Sequence, residues 1–179
     1  FSVPIAGQFL KIINETLDFI SNLNNISSEM IKVKLDSDVF GWELNERFVS
    51  QGFSKMLSEG KSFYELLSKS RISVSTYNST IYYETMSSNF PTVIFFDMNF
   101  YEISEESKED FRLLKSVGIF YDSPLLASKF VNSIINNIDE WWLKEEVQYV
   151  RKQFCDKYAF KSKTYLKDWK SSINELVKK

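Results

Sequence analysis

The stretch "ISVSTYNSTIYYETMSSNFPTVIFF", residues 72–96, decides the fold. It reads as a strand within "RISVST", a polar break, a helix over 78–88 and a second strand, "TVIFF", at 92–96. Val93, Ile94, Phe95 and Phe96 are apolar at both parities, the mark of a strand in a parallel sheet covered by helices on both faces. A strand, a helix and a strand in so short a span predict a right-handed βαβ crossover. The break between them is crowded with hydroxyls: Ser75, Thr76, Tyr77, Asn78, Ser79 and Thr80.

Outward from this unit, apolar spacing over 5–23 predicts an amphipathic helix, and "IKVKL" at 31–35 a short strand followed by the loop "DSDVFGW". Residues 44–58 and 62–69 read as helices separated at Gly60. After the second strand of the unit come a helix over 105–116, a strand within "GIFYD", and a helix with Ser123 at its cap and Pro124 in its first turn. Two terminal helices follow from Asp139 onward. The alternation predicts an α/β fold, a Rossmann-like open parallel sheet with helices on both faces and a helical C-terminus. The expected division is a domain over 1–160 and a C-terminal helix over 161–179.

Composition narrows the function. The chain has 179 residues, 44% of them hydrophobic, enough for one sizeable core and too few to demand two. With 22 Lys and Arg against 24 Asp and Glu there is no basic field to hold a nucleic-acid backbone. No His occurs, which removes the usual general base, the Ser-His triads and the commonest transition-metal ligand. The single Cys155 excludes an internal disulfide framework and fits a reducing compartment. Only five Gly occur, and neither a GxGxxG nor a Walker turn is among them, which argues against an oxidoreductase or a kinase. No apolar run is long enough to span a bilayer. Phe1, with neither an initiator Met nor a signal peptide's basic start, reads as the cut end of a longer protein.

In open parallel sheets ligands bind beyond the carboxyl ends of the strands, where the next helices begin. The hydroxyl-rich break sits at such an end. If Tyr77 or Asn78 starts the helix, the N–H groups of Ser79, Thr80 and Ile81 point out of it and can receive a phosphate. The plainer reading is an ordinary N-cap made by Asn78 or Ser79. Glu84, at i+4 from Thr80, can accept from sugar hydroxyls or stand solvated. Lys34 and Arg71, at strand ends, can meet phosphate oxygens or lie exposed. Trp42 can stack on a base or pack. Asp97 and Glu102, beyond the second strand, face the same rim as sugar contacts, as a base, or as solvated carboxylates.

The order of "STYNSTIYYETMSSNFPTVIFFD", "FYEI", "LLKSVGIFYDSPLLASKFVNSIINNIDEWW" and "VQYVRKQFCDKYA", with "KLDSDVFGWELNERF" before them, resembles the C-terminal part of a family of bacterial transferases linked to O-antigen and other surface polysaccharides. That family resembles GT-B glycosyltransferases, in which two Rossmann-like domains face across a cleft and the C-terminal one binds the nucleotide-sugar donor. The resemblance implies that this chain is the donor-binding half, inactive by itself, with a missing N-terminal domain as partner and a glycan or lipid-linked acceptor. It implies that Ser75, Thr76, Asn78, Ser79 and Thr80 take the donor phosphates and Glu84 the ribose or the sugar. The hydroxyl pair resembles the Ser-Ser/Thr motif of sialyl- and Kdo-type transferases, which implies a CMP-sugar. Those enzymes also use a His-Pro motif that this chain lacks, so UDP- and GDP-sugars stay open. No metal and no cofactor beyond the donor substrate is implied, and the catalytic base is expected on the missing half. Trp141, Trp142 and the segments after them are expected to pack where the chain crosses back to that domain, the tryptophans in a core role rather than a ligand role. The expected location is the cytoplasm, with a peripheral place at the inner membrane allowed. The alternative is a non-catalytic α/β interaction module whose hydroxyl turn is only a cap.

Overall fold

The computed structural model describes residues 6–35, 41–58, 60–101, 103–159 and 162–177. Its centre is a parallel sheet of three strands, β1 (Ser73–Ser75), β2 (Thr92–Phe95) and β3 (Phe120–Tyr121), in the order β1-β2-β3. Val74 pairs with Val93 and Ser75 with Ile94, while Ile94 pairs on its other side with Phe120. Helix α4 (Ile81–Ser87) joins β1 to β2, and α5 (Glu105–Ser116) joins β2 to β3.

Side-chain parity shows which helices cover which face. Phe95 stacks on Phe19 of α1 (Ala6–Ser21), with ring centroids 5.0 Å apart, and its neighbour Tyr121 lies 5.3 Å from Phe130 of α6 (Pro124–Ile134). Residues of the other parity face the second layer: Phe96 and Phe120 both meet Phe111 of α5, and Thr92 donates to Thr85 of α4 at 2.9 Å. Over that layer lies α8 (Glu145–Tyr158), whose Phe154 reaches Tyr82, Tyr83 and Phe111. Helices therefore cover both faces, as the run of apolar residues in β2 predicts.

Three helices stop by the same device. A left-handed residue lies just past the end, its N–H returns to the carbonyl three residues back, and the next N–H returns five residues back. Gly52 ends α2 (Leu44–Ser50) through Gly52 N to Val49 O and Phe53 N to Phe48 O, at 2.9 and 3.0 Å. Asn89, at φ 54°, ends α4 through bonds to Met86 and Thr85, and Gly118 ends α5 through bonds from Gly118 to Lys115 and from Ile119 to Leu114. Asn tolerates this region because its short amide bonds locally. Here its carbonyl and side-chain oxygen both accept from the Trp142 indole at 3.1 Å.

Several expectations need correction. The expected helix over 44–58 stops at Ser50, because of the Gly52 turn, and resumes only as a 3₁₀ turn at Ser54–Met56. "IKVKL" is no strand: Val33 alone forms a parallel bridge with Leu57. The helix expected over 78–88 begins at Ile81. The first terminal helix is two, α7 (Ile138–Trp142) and α8, with an extended Lys144 between them and Gln148 Nε2 donating to the Trp142 carbonyl at 2.7 Å. Ser123 stands at the start of α6 but makes no side-chain cap bond. Residues 36–40 of the expected loop lie outside the described residues. Trp141 and Trp142 are buried in the core of this chain, Trp141 donating to the Val117 carbonyl at 2.9 Å.

Gly118 is the tightest of these turns. At φ 80°, a Cβ there would sit 2.9 Å from Phe130 Cζ. Gly118→Ala is expected to lower the unfolding free energy by about 1–3 kcal/mol from backbone strain alone; chemical denaturation measures it.

Candidate functional site at the carboxyl rim of the sheet

The break between β1 and α4 is a folded turn rather than an extra turn of helix. Ser75, 5% exposed at the end of β1, places its Oγ 3.2 Å from both the Tyr77 carbonyl and Ser79 Oγ. Those contacts curl the chain over the strand end. The Tyr82 hydroxyl reaches back one helical turn and donates to Asn78 Oδ1 at 2.6 Å. Burial pushes the Tyr82 phenol far above its ordinary pKa, so it stays a donor. Thr80 takes the N-cap position in a helical conformation, and its side chain makes no cap bond. The first-turn N–H groups of α4, at Ile81, Tyr82 and Tyr83, have no intrahelical acceptor by geometry. The cap position thus falls on Thr80 rather than on Asn78 or Ser79. Thr76 and Ser79 are half-buried and Thr80 is exposed.

Beyond β2, Asp97 caps a short 3₁₀ turn, Met98–Phe100, accepting from the Asn99 N–H at 3.0 Å and its amide nitrogen at 2.9 Å. Its other oxygen accepts from Lys11 Nζ of α1 at 2.7 Å. Lys11 also lies 3.6 Å from Glu15 and 4.0 Å from the centre of the Phe100 ring. The hydrogen bond from Lys11 holds the Asp97 carboxyl below its ordinary range and raises the Lys11 ammonium. Glu15 is shifted the other way: burial raises it against the pull of Lys11. The two carboxylates around one lysine thus have different proton affinities.

Tyr101 joins the two halves of the rim. Its hydroxyl accepts from the Asn78 N–H at 3.4 Å, and its ring meets Phe96 edge-on at 5.1 Å. Burial raises its phenol too, so it is neutral. Between Lys11, Glu15, Asp97 and Tyr101 lies a cavity of about 10 Å³, room for about one water and far below the roughly 300–1,000 Å³ of a ligand pocket. A roomier depression of about 310 Å³ lies against Gly118, Phe130 and Trp141, by the approach to β3 rather than at the hydroxyl turn.

Ser75, Thr76, Asn78, Ser79, Thr80 and Asp97 accordingly lie along the carboxyl ends of β1 and β2. Glu84 is at the start of α4, exposed, and accepts from the Tyr64 hydroxyl at 2.7 Å. Glu102 lies outside the described residues. Lys34 is exposed beside the Val33–Leu57 bridge, apart from the three-stranded sheet. Arg71 precedes β1, at the end of the strand opposite the hydroxyl turn, and its guanidinium lies 3.5 Å from the Ile135 carbonyl. Trp42 packs edge-on against Phe9 of α1 at 5.6 Å, which is packing rather than an open stacking surface. Lys11, Glu15 and Tyr101 escape sequence reasoning; the one local signal is the Lys11/Glu15 pair at i,i+4 in the amphipathic first helix.

The lowered Asp97 has a consequence for acid stability. Its contribution is fully present above the ordinary aspartate pKa of about 3.9 and is lost as pH falls through the lower native value. Lys11→Met is expected to move the Asp97 titration, followed by carboxyl NMR, up toward that ordinary value. Because the pair is partly solvated, the stability change at neutral pH should stay within about 1 kcal/mol.

No curated protein sequence and no solved structure matches the chain significantly. The sequence does match a family of transferases, described as LIC12162 family transferase, over residues 1–173. With nearly its whole length in that match, the chain belongs to the LIC12162 family of transferases.

Proposed function

We propose that this transferase is a glycosyltransferase of GT-B type, that the chain is its donor-binding half, and that the carboxyl rim of β1 and β2 receives the diphosphate or phosphodiester of a nucleotide-sugar. One observation carries the reading: a hydroxyl-rich turn, followed by a helix whose N-cap Thr80 makes no side-chain cap bond, stands at the end of a parallel strand and is bonded through Tyr101 to the neighbouring strand end. Thr76, Ser79 and Thr80 offer the phosphate its hydroxyls, the first N–H groups of α4 offer donors, and Ser75 and Asn78 hold the turn in shape. Lys11 stands at the end of the neighbouring strand, with its charge taken up by Asp97 and Glu15. Glu84, already an acceptor for Tyr64, stands one turn along the helix for the ribose or the sugar.

Magnitudes indicate how much this half does alone. A helix N-terminus contributes about 0.3–1 kcal/mol to an anion, and hydrogen bonds to charged groups about 1.5–3 kcal/mol each. Micromolar binding needs about 8 kcal/mol after the costs of association. With a cavity of only about 10 Å³ at the rim, base and sugar would rest on a surface that a second domain completes. The full reaction in this reading is sugar transfer from a CMP-, UDP- or GDP-linked donor to a glycan or lipid-linked acceptor of a bacterial surface polysaccharide such as O-antigen, in the cytoplasm.

Thermal unfolding with CMP, UDP or GDP tests the donor site. One nucleotide is expected to raise the midpoint, with about 2.7 kcal/mol of stabilisation at a hundredfold excess over Kd. The double change Ser79→Ala and Thr80→Ala is expected to abolish the rise while moving the unliganded midpoint little. A folded chain whose midpoint no nucleotide moves contradicts the proposal and favours a non-catalytic interaction module.

A further inference from the structure

Among the described residues, helix α9 (Tyr165–Val177) carries an apolar face that stays exposed along its whole length. None of its described residues is buried: Tyr165, Leu166, Trp169, Ile173, Leu176 and Val177 are 50–81% exposed. At 100° per residue these six fall within an arc of about 120°, continuous along a helix about 20 Å long. Charge says what covers it. Six of the chain's 22 basic residues but only two of its 24 acidic ones fall within 161–179, so a basic segment ends a chain whose remainder is acidic. One of the two acids, Asp168, is taken up at the start of the helix, accepting from the Ser162 and Thr164 hydroxyls. Lys170 borders the apolar arc and Lys167 lies beyond it on the same flank.

We propose that α9 is a membrane-surface helix, which lays its Trp169 face into the interface of an anionic phospholipid bilayer with Lys170, at the edge of that face, against the headgroups. Tyr and Trp suit the interface because each has an apolar body and a polar tip, and lysines beside an apolar arc suit anionic lipid. A seam between two copies fits less well. Leu166, Trp169, Ile173 and Leu176 have the spacing of such a seam, but its flanks are Tyr165, Lys170, Ser172 and Val177, so Lys170 would meet no acid. Thirteen residues are also short for an isolated pair of helices. No helix of the described residues is long and apolar enough to cross a membrane, so α9 lies on the surface. The proposal does not rest on the donor-site reading, but it competes with the expected packing of the terminal segments on a second domain.

Co-sedimentation of the whole chain with vesicles of phosphatidylcholine, with and without phosphatidylglycerol, tests it. Binding is expected only to the phosphatidylglycerol vesicles, weakening at high salt and by about fivefold for Lys170→Gln. Trp169→Glu is expected to reduce binding at least about tenfold, with the thermal midpoint unchanged. Absence of vesicle binding, or equal binding to both vesicles, overturns the proposal. So does a concentration-dependent dimer that Trp169→Glu dissolves, or a lower midpoint in that variant, which would show the helix docked on protein.

Discussion

Every residue of β2 from Thr92 to Phe95 is buried, and a strand buried on both faces can satisfy its backbone only by pairing along both edges. β1 and β3 meet that demand, both parallel to it. Parallel pairing forces a crossover on each side, and α4 and α5 are those crossovers. The same constraint places the carboxyl ends of β1 and β2 side by side. The hydroxyl turn, Tyr101 and Asp97 then share one rim although 22 residues of chain separate Ser75 from Asp97.

The stops are as consequential as the strands. Asn89 turns the chain out of α4 so that Pro91 can accept from Ser73 at 2.9 Å and open the ladder. Its two oxygens are held by Trp142, which ties the C-terminal helices to the start of β2. Gly118 does the same service between α5 and β3, against Phe130 and Trp141. The tryptophan pair, expected in a core role, locks the turns that set the sheet's register.

What could be read in the sequence was whatever repeats locally. The double-sided apolar run of β2, the hydroxyl break, the 105–116 helix and the proline start of α6 all announce themselves within a few residues. The misreadings come where a distant contact or a single turn residue overrides the pattern. "IKVKL" has strand-like residues but only Leu57 to pair with. Gly52 divides an amphipathic run, and the buried Trp142 fixes a break that periodicity runs straight through. The rim was legible in half: Ser75 to Thr80 lie in one stretch, whereas Lys11 meets Asp97 across 86 residues and Asn78 meets Tyr101 across 23. No spacing rule encodes such pairs.

In the proposed donor site the turn after β1, and not the roomier depression by Trp141, receives the phosphates. Amide NMR of the labelled chain during titration with a nucleotide diphosphate tests it residue by residue. The largest shifts are expected at Ser79, Thr80, Ile81 and Tyr101. Shifts centred on Gly118 and Trp141, or no saturable shifts at all, would contradict it.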